Sequence, residues 1–201
     1  MEINSDHIIS KAAQLYMKYG IKSVSMEDVA RELGISKKTL YQFVKDKEDL
    51  IKKVIDFEFN FHVEEFDKME KVGLNAIDEM IEATKFMNKM VKTHPPSMEY
   101  DMKKYYPLVY ENFNKLRREY ILNRVKRNLK KGVDEGLFRD DFDIEIISKL
   151  QAGRIEAVSS DNLFTSDELN SEKVFNELFS YHLHALCNSK GLDYFQKRIK
   201  C

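Results

Sequence analysis

Apolar side chains recur at spacings of three and four residues along nearly the whole chain, and no sustained stretch alternates apolar with polar residues. The first pattern is typical of α-helices, whereas half-buried β-strands require the second. Glycine and proline number only 7 and 3 in 201 residues and fall between the periodic segments, where they end helices. The sequence therefore predicts an all-α protein, and 43% apolar residues suffice for a substantial core.

Two short helices near the N-terminus are predicted from their capping residues. Ser25, with Asp28 three positions later, has the spacing of a capping box. Gly34 suits the turn that follows, because glycine tolerates a positive φ. Ser36 can cap the second of these two helices, which is expected to reach about Val44. Further helices are predicted over 47–71, 74–94, 97–104, 107–135, 144–159 and 172–188, with Gly191 separating a short tail helix.

These two short helices and their glycine-containing turn have the pattern of a helix-turn-helix, whose second helix enters the major groove of DNA. Apolar residues occupy the positions where the helices must pack together: Val29, Leu33, Ile35, Leu40 and Phe43. The predicted DNA contacts are Ser25, Ser36, Lys37, Lys38, Thr39, Tyr41, Gln42, Lys45 and Lys47.

The types of these residues suit duplex DNA. Lysine donates to guanine, glutamine pairs with adenine, and the threonine methyl group contacts thymine. Tyr41 and Lys47 are assigned to phosphates, near the positive end of the helix that follows Asp46. A lysine cluster on a short helix is often only a solvated face. Here residues 1–50 contain eight basic and eight acidic residues, and the chain has a net charge of -1. The lysines of the predicted DNA contacts therefore form a local positive patch in a region that is neutral overall.

The stretch VSMEDVARELGISKKTLYQFVKDKEDL resembles the DNA-binding region of TetR-family transcriptional regulators, over about residues 5–55. Val44 departs from the family pattern, in which an aromatic residue is more usual. The resemblance implies an all-helical homodimer. Its N-terminal helix-turn-helix DNA-binding domain would cover residues 1–46, and a larger helical ligand-binding and dimerisation domain would cover residues 47–201.

Dimerisation is expected because one helix-turn-helix reads only a few base pairs, so a palindromic operator needs two copies about 34–36 Å apart. The two predicted helices over 144–159 and 172–188 have wide apolar faces and small residues that permit close approach. They are predicted to form a four-helix interface, although an intramolecular core is the alternative. The interface residues are Ile147, Leu150, Ala157, Val174, Leu178, Phe179, Tyr181 and Leu186.

Aromatic residues and methionines are frequent between residues 47 and 135, and together they are predicted to line an apolar effector cavity. Each one taken singly is more often ordinary core. The predicted ligand residues are Phe57, Phe61, His62, Phe86, Met87, Met90, Met102, Tyr105, Tyr106, Tyr110 and Phe113. A small apolar or aromatic effector that prefers a dimer with the wrong half-site spacing would release the operator, as in a ligand-responsive repressor.

Other chemistry has little support in the sequence. Acidic residues over 140–145 lie at a helix start, where acidic caps are expected, and His182 and His184 point to different helix faces. Cys187 and Cys201 lack metal-ligand spacing. We therefore expect neither an enzyme nor a cofactor or metal site, and, without a signal or membrane segment, a cytoplasmic location. The alternative function is a helical small-molecule-binding protein or interaction scaffold that retains a vestigial helix-turn-helix.

Overall fold

The chain folds as a succession of α-helices. A computed structural model describes residues 4–93, 96–159, 168 and 172–198, and this part of the chain contains ten helices and no β-strand, which confirms the all-α prediction. The helices are α1 Ser5–Tyr19, α2 Met26–Glu32, α3 Lys37–Leu40, α4 Lys47–Lys71, α5 Ala76–Thr93, α6 Pro96–Tyr105, α7 Pro107–Asp134, α8 Ile144–Ser159, α9 Glu172–Leu186 and α10 Ser189–Arg198.

The helices divide into two compact units. The first unit comprises Met1–Glu65 and His94–Arg117, and the second comprises Phe66–Thr93 and Arg118–Cys201. Helices α4 and α7 therefore each contribute residues to both. Packing thus divides the chain differently from the functional boundary expected after residue 46, which stays a prediction.

The core of the first unit, here called the first core, explains that difference. Leu50, Ile51 and Val54 at the start of α4 are fully buried among apolar residues of α1, α2 and α3. Met98 and Met102 of α6 join the same cluster, with 9% and 6% of their surfaces exposed. The helix-turn-helix therefore shares its core with residues well beyond position 46.

The second unit has its own apolar cluster, here called the second core. It includes Ala76, Ile77, Leu129, Leu137, Phe138, Leu183, Leu186 and Phe195, contributed by α5, α7, α9, α10 and the segment after α7. Helix α5 packs against α9 within this unit.

Most predicted helix bounds agree with the structure, but the role assigned to Gly191 was wrong. Gly191 lies inside α10 and is buried instead of separating two helices. A Cβ atom there would lie 2.0 Å from the carbonyl oxygen of Leu137, so only glycine permits this close approach of backbones. Asn188 supports the helix start, because its side-chain oxygen accepts a hydrogen bond from the Gly191 amide at 3.0 Å. The helix predicted over 74–94 was expected to end at His94, which lies outside the described residues.

Candidate nucleic-acid interface

The inner faces of α2 and α3 fix the helix-turn-helix in place. Val29, Ala30 and Leu40 are buried, with at most 3% of their surfaces exposed. Leu33, Ile35 and Phe43 are partly buried against the same first core. The predicted packing of these apolar residues is confirmed, and it commits one face of each helix to the interior.

Helix α2 begins with the predicted capping box. The Ser25 hydroxyl oxygen accepts from the Asp28 amide at 3.1 Å, and the Asp28 carboxylate accepts from the Ser25 amide at 2.9 Å. Hydrogen bonds from the Ser25 side chain and backbone, followed by the charge of Arg31, lower the pKa of Asp28. Ser25 is exposed, but its hydroxyl is engaged with Asp28 at 2.6 Å, so its assignment to DNA stays a prediction.

Helix α3 is short and its first turn is closed by hydroxyl groups. Ser36 accepts from the Thr39 amide at 3.0 Å, and the two hydroxyls lie 2.8 Å apart. Gly34 has a φ of 66°, as the predicted turn requires. The α-helix ends at Leu40 and not near Val44, because the amides of Gln42 and Phe43 bond to carbonyls three residues back and form a tighter turn.

An exposed edge follows from this arrangement. Lys37, Lys38, Tyr41, Gln42 and Lys45 are all exposed, while Thr39 is half-buried. The Lys37 amine has only a long contact of 3.9 Å to the exposed carboxylate of Glu27. Pairs of this kind contribute little in water, so the lysine remains available to a phosphate or a base. The structure therefore presents cationic, hydroxyl and amide groups along one edge of a short helix.

Lys47 is held differently from the other lysines of this region. It is half-buried at the start of α4, and its amine donates to the backbone carbonyl of Lys22 at 3.4 Å. Burial lowers the pKa of Lys47. Asp46 caps the helix as predicted, since its side chain accepts from the Asp49 amide at 2.8 Å. A phosphate contact by Lys47 would compete with the Lys22 carbonyl.

Two residues that position this region were missed in the sequence analysis. The Lys53 amine donates to the Phe43 carbonyl at 2.8 Å and to Asp49 at 2.9 Å, which joins the end of the helix-turn-helix to α4. Asp101 of α6, 9% exposed, accepts from the Lys22 amide at 2.8 Å. The spacing of Asp49 and Lys53 is a local signal, whereas a contact across 79 residues leaves none.

The predicted ligand residues are divided between the two units. Phe86, Met87 and Met90 are half-buried in the second unit, and the other eight belong to the first. Met102 is part of the first core, against which Tyr106, Tyr110 and Phe113 are partly buried. Phe57, Phe61 and Tyr105 are exposed by 37%, 50% and 37%, and His62 is half-buried beside Phe61, with a ring separation of 6.0 Å. A surface groove of about 460 Å³ in the first unit is lined by other residues, chiefly of α1.

The predicted dimer residues include both exposed and buried side chains. Leu150 and Tyr181 are 64% and 76% exposed, and Val174 and Leu178 are half-buried. Leu186, 2% exposed, belongs to the second core, so the intramolecular alternative holds for this residue. Ile147 and Phe179 also pack against that core, and the side chain of Ala157 lies outside the described residues.

The described ranges contain neither a metal-binding cluster nor a membrane-spanning helix. These residues include no group of three or more His, Cys, Asp or Glu side chains that could hold a metal ion. No helix in this part of the chain has the length and apolar character needed to cross a membrane.

Comparison with known proteins finds similar sequences among transcriptional regulators. Residues 8–54 match the model of the bacterial regulatory proteins of the tetR family. An HTH-type transcriptional regulator of Staphylococcus aureus is 36% identical over 67 residues, which cover 33% of this chain and only 36% of that relative. The uncharacterized HTH-type transcriptional regulator YfiR of Bacillus subtilis is 23% identical over 172 residues, 80% of each chain.

Among solved structures, a transcriptional regulator from Cytophaga hutchinsonii has the same fold. It superposes with a TM-score of 0.75 at 18% identity, covering 91% of this chain and 98% of that one. The fold thus agrees along nearly the whole chain, and the sequence match is concentrated in the helix-turn-helix. Residues 8–54 therefore carry the DNA-binding region of the TetR family of transcriptional regulators, and the chain shares the fold of a solved transcriptional regulator along nearly its whole length.

Proposed function

We propose that this protein is a homodimeric, cytoplasmic repressor that binds a palindromic operator and releases it when a small-molecule effector binds. The observation that carries the DNA-binding part is the exposed edge of Lys37, Lys38, Tyr41 and Gln42 above a fully packed helix-turn-helix. A vestigial domain has no reason to retain these four groups together on its outer face.

The exposed side chains suit two kinds of DNA contact, with base edges and with phosphates. Lys37, Lys38 and Gln42 reach base edges in the major groove, where lysine prefers guanine and glutamine prefers adenine. Tyr41, Lys45 and Lys47 contact phosphates, which fix the orientation of the domain but carry no sequence information. Ser25 and Ser36 contribute mainly by capping their helices, since their hydroxyls are engaged within the protein.

Exposed apolar residues on α8 and α9 support the dimer. Ile146 and Leu150 are 58% and 64% exposed and lie one helical turn apart. Tyr181, 76% exposed, and the exposed Ala185 have the same spacing on α9. Burying these faces against a second copy would remove apolar surface from water at two helices per protomer, as in a four-helix interface.

Release by an effector requires a connection to the helix-turn-helix, and the first unit contains one. Met98 and Met102 of α6 are buried in the first core, and Asp101 between them holds the Lys22 amide just before α2. A shift of α6 would therefore displace the loop that precedes the helix-turn-helix. An effector that favours the shifted state would deplete the DNA-competent dimer in proportion to its differential affinity.

The DNA-binding part is tested by gel retardation of the region upstream of the protein's own gene at several salt concentrations. Lys47→Ala should lower affinity for every sequence and flatten the salt dependence by about one unit, whereas Gln42→Ala should change the preferred sequence. Lys197→Ala is the control, since Lys197 is exposed in α10 and paired with Asp193. Wild-type protein that retards no genomic fragment would refute the proposal.

The dimer is tested by analytical ultracentrifugation. Leu150→Lys and Tyr181→Lys place a charge on the proposed interface and should yield monomers at micromolar concentration. Leu108→Lys is the control, because Leu108 is 69% exposed but lies in the first unit. A dimer that persists in both interface variants would show that other surfaces pair.

A further inference from the structure

The inner face of α8 carries polar side chains where apolar ones are expected. Ser148 is fully buried and Gln151 is 7% exposed. Arg154, one turn further on, is half-buried, and its Nε donates to the Gln151 side-chain oxygen at 2.8 Å. A guanidinium group is therefore held in place by a buried amide inside the second unit.

Arg154 differs from the other arginines of this unit in lacking a carboxylate partner among the described residues. Burial lowers the pKa of its guanidinium. The other five arginines each pair with a carboxylate: Arg118 with Glu156, Arg124 and Arg127 with Glu70, Arg139 with Asp141 and Arg198 with Asp78. A half-buried charge without a counter-ion is costly, so this arrangement favours an anion supplied from outside the chain.

His182 of α9 adds a second unsatisfied group, close enough to Arg154 for the arginine charge to act on its ring. Its Nε2 atom is buried and has no hydrogen-bond partner within the described part of the chain. Burial, followed by the charge of Arg154, lowers the pKa of His182 to about 4, so the ring is neutral at pH 7. A neutral imidazole protonated on Nε2 is a hydrogen-bond donor that adds no charge.

We infer that Arg154 and His182 bind the carboxylate of an effector whose remainder is apolar, an inference that rests on the proposed ligand-responsive function. The planar guanidinium suits a carboxylate, with which it forms paired hydrogen bonds. One positive charge balances a carboxylate, whereas the second charge of a phosphate would remain uncompensated. Ile147 lies two turns before Arg154 on α8 and packs against the second core, and Leu183, which follows His182 on α9, belongs to that core. Both helices therefore carry apolar side chains that suit an apolar tail.

Isothermal titration with three probes of equal chain length tests the ligand class. Octanoate should bind, while 1-octanol, which lacks the charge, should bind at least about tenfold more weakly. Octyl phosphate distinguishes the two anions and should also bind more weakly than octanoate. Failure of octanoate to bind at millimolar concentration, or tighter binding of octyl phosphate, would overturn the assignment.

Variants then test the residues. Arg154→Met should weaken octanoate binding about ten- to a hundredfold, and His182→Gln should weaken it by a smaller factor. Arg127→Met is the matched control, since the Arg127 side chain is 59% exposed in the same unit, and its affinity should stay within about twofold of wild type. Circular dichroism establishes that each variant is folded. If Arg154→Met unfolds, Arg154→Lys is used instead, because lysine keeps the charge but cannot form the paired hydrogen bonds of a guanidinium. Equal octanoate affinity in wild type and a folded Arg154 variant would refute the role of Arg154.

The outcome can be separated from that of the proposed function by measuring DNA binding in parallel. Operator retardation without octanoate binding would refute this inference alone. Octanoate binding that requires Arg154, in a protein that retards no DNA, would refute the repressor proposal alone.

Discussion

Acidification should destabilise the protein through His182, and the size of the effect follows from its surroundings. The pKa of this histidine is lowered from 6.5 to about 4 in the folded protein, first by burial and second by the Arg154 charge. The unfolded chain therefore binds more protons than the folded one between these two values, and stability falls as the pH falls through that window. From pH 7 to pH 5, this one group should reduce the free energy of unfolding by about 2 kcal/mol.

The measurement is urea unfolding followed by circular dichroism at pH 7, 6 and 5, at a fixed protein concentration because the proposed dimerisation would also contribute to stability. Many carboxylates titrate in the same range, so the informative quantity is the difference between wild type and His182→Gln. Between pH 7 and pH 5, the free energy of unfolding of wild type should fall by about 2 kcal/mol more than that of His182→Gln. His184→Gln is the control, because His184 is exposed two residues further on. A difference that stays constant with pH would refute the lowered pKa of His182.

Two further substitutions test contacts that position the helices. Gly191→Ala should lower the free energy of unfolding by about 1–3 kcal/mol, because the added Cβ would lie 2.0 Å from the Leu137 carbonyl oxygen. Gln196 is exposed in the same helix, so Gln196→Ala is the control and should have little effect. Equal urea midpoints for the two variants would contradict the clash. Asp101→Ala should lower the free energy of unfolding by about 1–2 kcal/mol. It should also increase hydrogen exchange at the Lys22 amide, which loses its acceptor. Unchanged exchange at that amide would contradict the proposed link between α6 and the loop before α2.

The parts of the fold that could be predicted from the sequence are those set by local interactions. The Ser25–Asp28 capping box and the positive φ of Gly34 depend on residues within one turn, and both predictions are confirmed. Gly191 failed as a predicted helix separator because its role depends on the Leu137 carbonyl, 54 positions earlier in the chain. Periodicity reveals which faces are apolar, but it does not reveal which distant backbone will approach them.

The candidate site shows the same limit. The outward edge of α3 could be predicted because the inward positions of a helix-turn-helix are fixed by its own apolar pattern, although its contacts with DNA stay predictions. The ligand residues were chosen by composition, which does not distinguish Met102 in the first core from Phe61 on the surface. Arg154 escaped notice because an arginine in a sequence is expected to be solvated, and only packing reveals that no carboxylate in the described part of the chain pairs with it.

The shared core of the first unit limits how this regulator can be recombined. A fragment ending at residue 46 would leave the places of Leu50, Ile51 and Val54 empty and expose the apolar surface that they cover. A chimaera that borrows its DNA specificity should therefore be spliced no earlier than Ile55, and it needs a substitute for Met98 and Met102 from the recipient's own sixth helix. The helix-turn-helix of this protein is therefore transferable only with the start of α4 and with a helix that takes the place of α6.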